Sequence, residues 1–285
     1  GKNGEPEELS DNTFFNVSNV EWSPAKEEAI IEYPDGANIY YNFDTKKQVT
    51  LPRHWEEFSF DKTGNQIAAK SIGFSVENNW LIVSSPEGND VSLVEPLGQK
   101  ANKLITDWSP NGQVLALSRT GEPLGSDRQE VLLIGQYGEN FKSIIVEGRD
   151  LRAEWSPTGE KLLHSVYSAR SGYIPELWVV NASDDAIGSG RKLLGVNTWA
   201  DKCAFADDRY VYCGIPTSIE KGAGFVPALA DNTPDELLRI DTQTGLKQAI
   251  QTDGINTIDS IFIGDNGETL YFTDKNKPGL FTVSL

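Results

Sequence analysis

Two histidines, His54 and His164, are all the imidazole that this 285-residue chain offers for proton transfer, and neither has the neighbours that catalysis needs. His54 stands in Pro52-Arg-His-Trp55 and His164 in Lys161-Leu-Leu-His-Ser165. No Gly-x-Ser-x-Gly elbow is present to expose a serine nucleophile beside them. His164 therefore reads as a strand residue. The carboxylate doublets Asp184-Asp185 and Asp207-Asp208 suggest metal or glycosidase chemistry at first sight. Adjacent residues on a strand face opposite ways, so a doublet does not converge on one ion, and both pairs read as turn formers. There is no EF-hand loop, phosphate-binding loop or dinucleotide fingerprint, so no cofactor and no metal site is implied. A carboxylate pair assembled from distant parts of the chain stays open, because sequence does not show that geometry.

The two cysteines carry more information. Cys203 and Cys213 bracket Phe205-Ala-Asp-Asp-Arg-Tyr210. If Phe205 and Tyr210 face each other across a turn, Cys203 faces Tyr212, and a one-residue bulge brings Cys213 into register. Opposed strand positions lie about 4.5–5.5 Å apart, within reach of a disulfide. A 203–213 bridge is expected, compensating for the glycine this turn lacks; two reduced, buried thiols are the alternative. A lasting disulfide implies an oxidising compartment, which places the protein outside the cytoplasm, in the periplasm, at the cell surface or secreted. Two thiols without a neighbouring histidine make no zinc site.

The elements that must position these residues are announced by a repeat. Trp155-Ser-Pro-Thr-Gly159 is nearly the string Trp108-Ser-Pro-Asn-Gly112, and Trp22-Ser-Pro24 opens the same way. Weaker copies begin at Phe60, Phe205 and Phe262. The six aromatic anchors are spaced by 38, 48, 47, 50 and 57 residues, around the length of a four-stranded propeller blade. Each unit consists of short apolar runs with two-residue alternation, broken by Gly, Pro, Asn and Asp. No stretch carries a clean helical stripe. Pro fixes its own φ and the following Gly tolerates positive φ, so the motif ends one strand and reverses into the next. Trp22, Phe60, Trp108, Trp155, Phe205 and Phe262 are expected to form a repeating layer of core between blades.

The resulting expectation is an all-β, six-bladed β-propeller of four-stranded antiparallel blades. The sixth unit runs out one strand short, and Thr13 to Val17 form a spare strand, so the N-terminal strand is expected to complete the last blade. Residues 1–10 read as a flexible lead-in, and residues 11–285 as a single six-bladed propeller.

The Trp-Ser-Pro-x-Gly pattern resembles the WD40-like repeats of TolB-type β-propellers over about residues 13 to 283. The aspartate usual after the proline is Asn111 and Thr158 here, and the second, fifth and sixth units are degenerate. The resemblance implies a non-enzymatic extracytoplasmic platform that binds another protein or a cell-envelope component. Similar repeats build the propeller beside the hydrolase domain of prolyl oligopeptidases, so a substrate-gating propeller of a larger hydrolase is the alternative. An autonomous propeller hydrolase or lyase would need carboxylates, Arg or Tyr gathered around a central channel.

The net charge of −17 repels phosphate backbones and anionic membranes, so nucleic acid is not an expected partner. No apolar run reaches the roughly 18 residues a transmembrane helix requires. The chain starts at Gly and contains no Met, and it is read as a processed or excised piece, with the soluble part of an anchored protein as one such origin. A monomer is expected.

Insertions point to a binding side. The loop between the second and third strands is long in units two to five: about 71–79, 120–129, 168–175 and 214–234. Units one and six keep it short. Loops on a rigid scaffold are where binding resides. Phe74, Trp80, Tyr173 and Phe225, in or beside these loops, are the candidate contact residues, although each ring could instead tuck its own loop down. Gly222 and Gly224 suggest mobility in the longest loop.

Overall fold

The structure is a computed structural model that describes residues 9–264 and 267–285. Eight of the ten residues of the expected lead-in fall outside the described residues, as do Asp265 and Asn266 of the sixth turn.

Local turn chemistry builds the repeat. In the fourth unit, the Ser156 N–H donates to the Lys161 carbonyl at 2.9 Å and the Gly159 N–H returns to the Ser156 carbonyl at 2.7 Å. Ser156 Oγ accepts the Lys161 N–H at 3.1 Å, so the serine closes the turn with its side chain as well as its backbone. Gly159 sits at φ +72°, which a residue without Cβ adopts at no steric cost. Ser109 repeats the arrangement with Val114 and Gly112. Asp61 replaces the serine in the second unit, its Oδ1 accepting the N–H groups of Asn65 and Gln66.

Six antiparallel sheets follow, each a meander in chain order. The first is β1 (Asn19–Trp22), β2 (Glu28–Glu32), β3 (Asn38–Asn42) and β4 (Lys47–Leu51); the second is β5 (Trp55–Phe60), β6 (Ile67–Ser71), β7 (Trp80–Ser84) and β8 (Ser92–Pro96). The third is β9 (Leu104–Thr106), β10 (Ala116–Ser118), β11 (Gln129–Ile134) and β12 (Ile144–Val146). The fourth is β13 (Arg149–Trp155), β14 (Lys161–Tyr167), β15 (Glu176–Asn181) and β16 (Lys192–Leu193); the fifth is β17 (Cys203–Phe205), β18 (Tyr210–Pro216), β19 (Asp235–Asp241) and β20 (Lys247–Ile250). The sixth is β21 (Ile258–Ile263), β22 (Thr269–Asp274) and β23 (Lys277–Ser284). Helical structure among the described residues is confined to short 3-10 turns.

The chain divides into two compact units, residues 1–120 with 133–140, and residues 121–132 with 141–285. Within the first unit, Phe60 and Trp55 pack with Ile30, Tyr40 and Leu51 of the first sheet, and Trp108 packs with Ala68, Leu81 and Val83 of the second. Within the second unit, Phe205 packs with Leu163, Leu177 and Val179 of the fourth sheet. The anchor aromatic of a blade thus packs on the sheet before it in these three cases. Burying such a ring contributes roughly 1.5–3 kcal/mol. Trp155 is buried too.

Three expectations are corrected. Residues 13–17 form no strand and the sixth sheet has three strands, so the expected N-terminal latch is absent among the described residues. Phe14 instead meets the Tyr41 ring edge-on at 5.2 Å, and Asn12 Nδ2 donates to the Tyr41 hydroxyl at 3.2 Å. Side-chain contacts to the first blade hold this segment where a backbone ladder was expected.

Phe262 does not join the layer of buried anchors. The Gly264 N–H donates to the Thr269 carbonyl, the bond that Ser156 makes in the fourth unit, so Ile263 holds the anchor position. Strand alternation turns Phe262 to the opposite side, where it is half-exposed. Trp22 occupies its anchor position but is also half-exposed, stacked on Phe43 at 5.3 Å.

The hairpin of the fifth blade is one residue tighter than expected, with the Ala206 N–H donating to the Tyr210 carbonyl. Phe205 therefore pairs with Val211, and Cys203 pairs directly with Cys213, without a bulge. The disulfide is formed, with both cysteines buried.

Candidate functional site

In the second unit, the long loops of blades three, four and five are tied to one another. Arg149, at the start of β13, pairs with Asp127 at 3.1 Å and donates to the Ser126 carbonyl at 2.8 Å. Asp127 Oδ2 in turn accepts the Ala169 N–H at 3.0 Å, joining the third-blade loop to the fourth-blade loop. Ser171 Oγ donates to the carbonyls of Ser168 and Ile174, which folds loop 168–175 on itself. The fifth-blade loop is 217–234, since Gly214 to Pro216 belong to β18. Two backbone bonds fasten it to its neighbour: Gly222 N–H to the Gly172 carbonyl at 3.0 Å, and Gly224 N–H to the Tyr173 carbonyl at 2.8 Å.

Aromatic packing reinforces that seam. Tyr173 and Phe225 lie 4.8 Å apart between centroids, and Phe225 lies 4.8 Å from Tyr167 at the end of β14. A Cβ on Gly224 would fall 2.3 Å from Tyr167 Cδ1, so this glycine serves close approach. The expectation of mobility at Gly222 and Gly224 gives way to a pinned crossing of two loops. Ala223 and Ala230 complete the base by packing on Trp199.

The outer surface of this assembly stays apolar. Phe225, Val226 and Leu229 are each about half exposed, in a chain of net charge −17. Val226 and Leu229 were missed from sequence, although the run Phe225-Val-Pro-Ala-Leu229 inside a long loop was a visible signal. Of the other candidates, Phe74 stands fully exposed on loop 72–79 of the first unit. Trp80 opens β7 and packs against the core cluster around Trp55, which removes it from the loop surface.

Beside the fifth-blade loop lies a small cavity of about 40 Å³, walled by paired charges. Arg152 bonds Asp201 at 2.6 Å, and Lys275 bonds Asp231 at 2.5 Å. Lys202 bonds Asp235 at 2.7 Å, with both side chains buried. Asp235 Oδ2 also accepts the Ile258 N–H at 2.7 Å, linking the fifth blade to the sixth. Burial raises the Asp235 carboxyl above its ordinary range, and Lys202 offsets only part of that. These charges satisfy one another, which is the behaviour of structural ion pairs rather than of poised catalytic groups.

Of the residues first weighed for chemistry, His164 and the two carboxylate doublets take structural places. His164 is fully buried in β14, and desolvation holds its imidazole down at about 4. Asp207 Oδ1 accepts the N–H groups of Arg209 and Tyr210, and Asp208 Oδ1 accepts the Thr158 hydroxyl, so that doublet shapes a turn. Asp184 and Asp185 sit in the 3-10 turn Asp184–Ala186. In the first unit, burial and then the nearby charge of Asp107 push the Glu21 carboxyl up to about 8. No cluster of three or more His, Cys, Asp or Glu able to hold a metal occurs among the described residues.

Solved structures share this fold. An oligogalacturonate lyase in complex with manganese matches 97% of the chain at a TM-score of 0.62 and 12% identity, over 79% of its own length. TolB from Acinetobacter baumannii matches 84% of the chain at a TM-score of 0.56 and 12% identity, over 55% of its length. The tricorn protease matches 94% of the chain at a TM-score of 0.57 and 10% identity. The fold is a six-bladed β-propeller, which TolB shares. At such identities the likeness carries fold alone, and the propeller neighbours include a lyase and a protease as well as TolB. The chain spans 29% of the length of the tricorn protease chain. No protein-family model matches the sequence, and no curated protein does. No helix among the described residues is long and apolar enough to cross a membrane.

Proposed function

We propose that this propeller is a non-enzymatic, extracytoplasmic platform that binds a protein or a cell-envelope component through the interlocked loops of the second unit. The observation that carries this reading is the half-exposed apolar group Phe225, Val226 and Leu229 mounted on loops locked by hydrogen bonds. A rigid loop loses little conformational entropy when it docks, and large apolar side chains supply most of the energy of such contacts. The Cys203–Cys213 bridge supports an oxidising location. The net charge of −17 favours a partner with a cationic rim around an apolar centre.

The test is capture of a partner from an envelope extract, using the parent chain and a variant with Phe225, Val226 and Leu229 changed to Ser. Phe225 also packs on Tyr167 and Tyr173, so a companion variant changes Val226 and Leu229 alone; it keeps its thermal midpoint, and both variants lose the partner. Retention of the same partner by either variant removes the reading.

A second reading, a substrate-gating propeller of a larger hydrolase, draws on the tricorn protease, of which the matched region is a minor part. A hydrolase domain in the same full-length polypeptide would favour it.

A further inference from the structure

The first unit holds a second feature, separate from the interlocked loops. A cleft of about 430 Å³ opens between the link from blade one to blade two and the loop after β6. Ile72, Gly73 and Phe74 form one side, with Asn78 beside them, and Arg53 and His54 form the other. Its size lies within the range of small-ligand pockets.

The frame is built rather than incidental. The Ile72 N–H donates to the His54 carbonyl at 2.7 Å, which fixes the two walls to each other. The Gly73 N–H donates to Asn79 Oδ1 at 3.0 Å. A Cβ at residue 73 would lie 2.5 Å from the Asn78 Cβ, so glycine allows the loop to fold back tightly and leave the cleft open. Phe74 is fully exposed, and its ring gains most from being covered.

Charge selects the ligand. The chain carries 42 acidic residues against 25 basic ones, yet no carboxylate lines this cleft and a guanidinium does. Arg53 has one ion-pair partner among the described residues, Asp35 at 3.6 Å, and both side chains are mostly exposed. Such a pair is screened by water and yields readily to a better acceptor. The planar guanidinium matches the two oxygens of a carboxylate. A polyanion is disfavoured, because the net charge repels it at a distance while a single carboxylate is not repelled strongly.

We propose that this cleft binds an apolar carboxylate: the apolar body rests against Ile72 and Phe74, and the carboxylate meets Arg53. The chemistry is common to a free organic acid and to the C-terminal residue of a polypeptide ending in an apolar side chain.

The experiment follows the backbone amides of Ile72 and Gly73 by NMR during titration with 3-phenylpropanoate, with 3-phenylpropanamide as the neutral counterpart. Ala-Ala-Phe with a free C-terminus and its C-terminal amide are titrated in parallel. Both acids give saturable shifts, and each amide binds about tenfold more weakly. Arg53→Gln removes that preference for the acid, and Phe74→Ser weakens both acids. Asp35→Asn frees Arg53 and tightens binding severalfold, while its amide oxygen can still accept the Ala37 N–H that Asp35 holds at 3.1 Å. Tighter binding of the peptide acid than of 3-phenylpropanoate assigns the natural ligand to a polypeptide C-terminus, and equal or weaker binding assigns it to a free acid. Acid and amide binding alike, the absence of saturable shifts, or Arg53→Gln and Asp35→Asn leaving affinity unchanged would each overturn the proposal. None of these variants alters residues 225–229, so failure here leaves the reading of the interlocked loops standing.

Discussion

Cys203 and Cys213 stand directly opposite each other on β17 and β18, with Cα atoms 4.1 Å apart and sulfurs joined, at one edge of the fifth sheet. Around them pack Leu163, Leu177, Val211 and Ile240, so the bridge sits in the core shared with the fourth blade. It spans a hairpin whose turn, at Ala206 to Tyr210, lacks the glycine found at Gly112 and Gly159 in the corresponding turns of the third and fourth blades.

Replacing both cysteines by alanine should lower the unfolding free energy by about 2–3 kcal/mol, the chain-entropy value for so short a loop. Denaturant titration of the parent and the double variant measures this. Equal midpoints would show that the bridge contributes nothing to stability.

Asp235→Asn strips the partner from Lys202 in a place closed to water and weakens the bond to Ile258. Removing one member of a buried pair costs roughly 3–5 kcal/mol, because the remaining charge stays buried. Changing both residues, as Lys202→Met with Asp235→Leu, should recover part of that loss. A single variant as stable as the parent contradicts the tight burial of this pair.

Two groups make stability depend on pH, in opposite senses. His164 is held down at about 4 in the fold, against an ordinary value of 6.5. The unfolded chain binds its proton first, so stability is full above pH 6.5 and falls by ~3 kcal/mol as pH drops toward 4. Glu21 is held up at about 8, against 4.5. Its contribution is full below pH 4.5 and is lost as pH rises through 8. His164→Leu should flatten the acid limb and Glu21→Gln the alkaline limb, the latter stabilising the fold by on the order of 3 kcal/mol above pH 8. Unfolding curves from pH 4 to 9 check both signs.

Gly224→Ala drives a methyl group into the Tyr167 ring and separates the crossed loops. A cost of about 1–3 kcal/mol is typical for forcing an atom into packed space. The clearest readout is limited proteolysis, which should cut the variant within 217–234 much faster than the parent. Resistance equal to the parent would mean that the two loops do not depend on this contact.

The loop arrangement sets the limits of what could be read without coordinates. Each turn is made by residues within a few positions of one another, and Ser109, Ser156 and their glycines close theirs by bonds spanning three to five residues. That locality is why the repeat, the blade count, the long loops and the proximity of Cys203 to Cys213 were written in the amino-acid string.

Side-chain direction and partnership were not written there. A single-residue change of phase in β21 gave the anchor position to Ile263 instead of Phe262, and a hairpin one residue shorter set Cys203 opposite Cys213 without a bulge. The latch formed by residues 13–17 was lost to ring contacts with Tyr41, and Gly224 turned out pinned because Tyr173 and Tyr167, 51 and 57 residues earlier, reach it. Short-range hydrogen bonds are decided by neighbours in the chain. Strand phase, the crossing of loops and the pairing of buried charges are decided by residues brought together from far along it, and only tertiary structure supplies those.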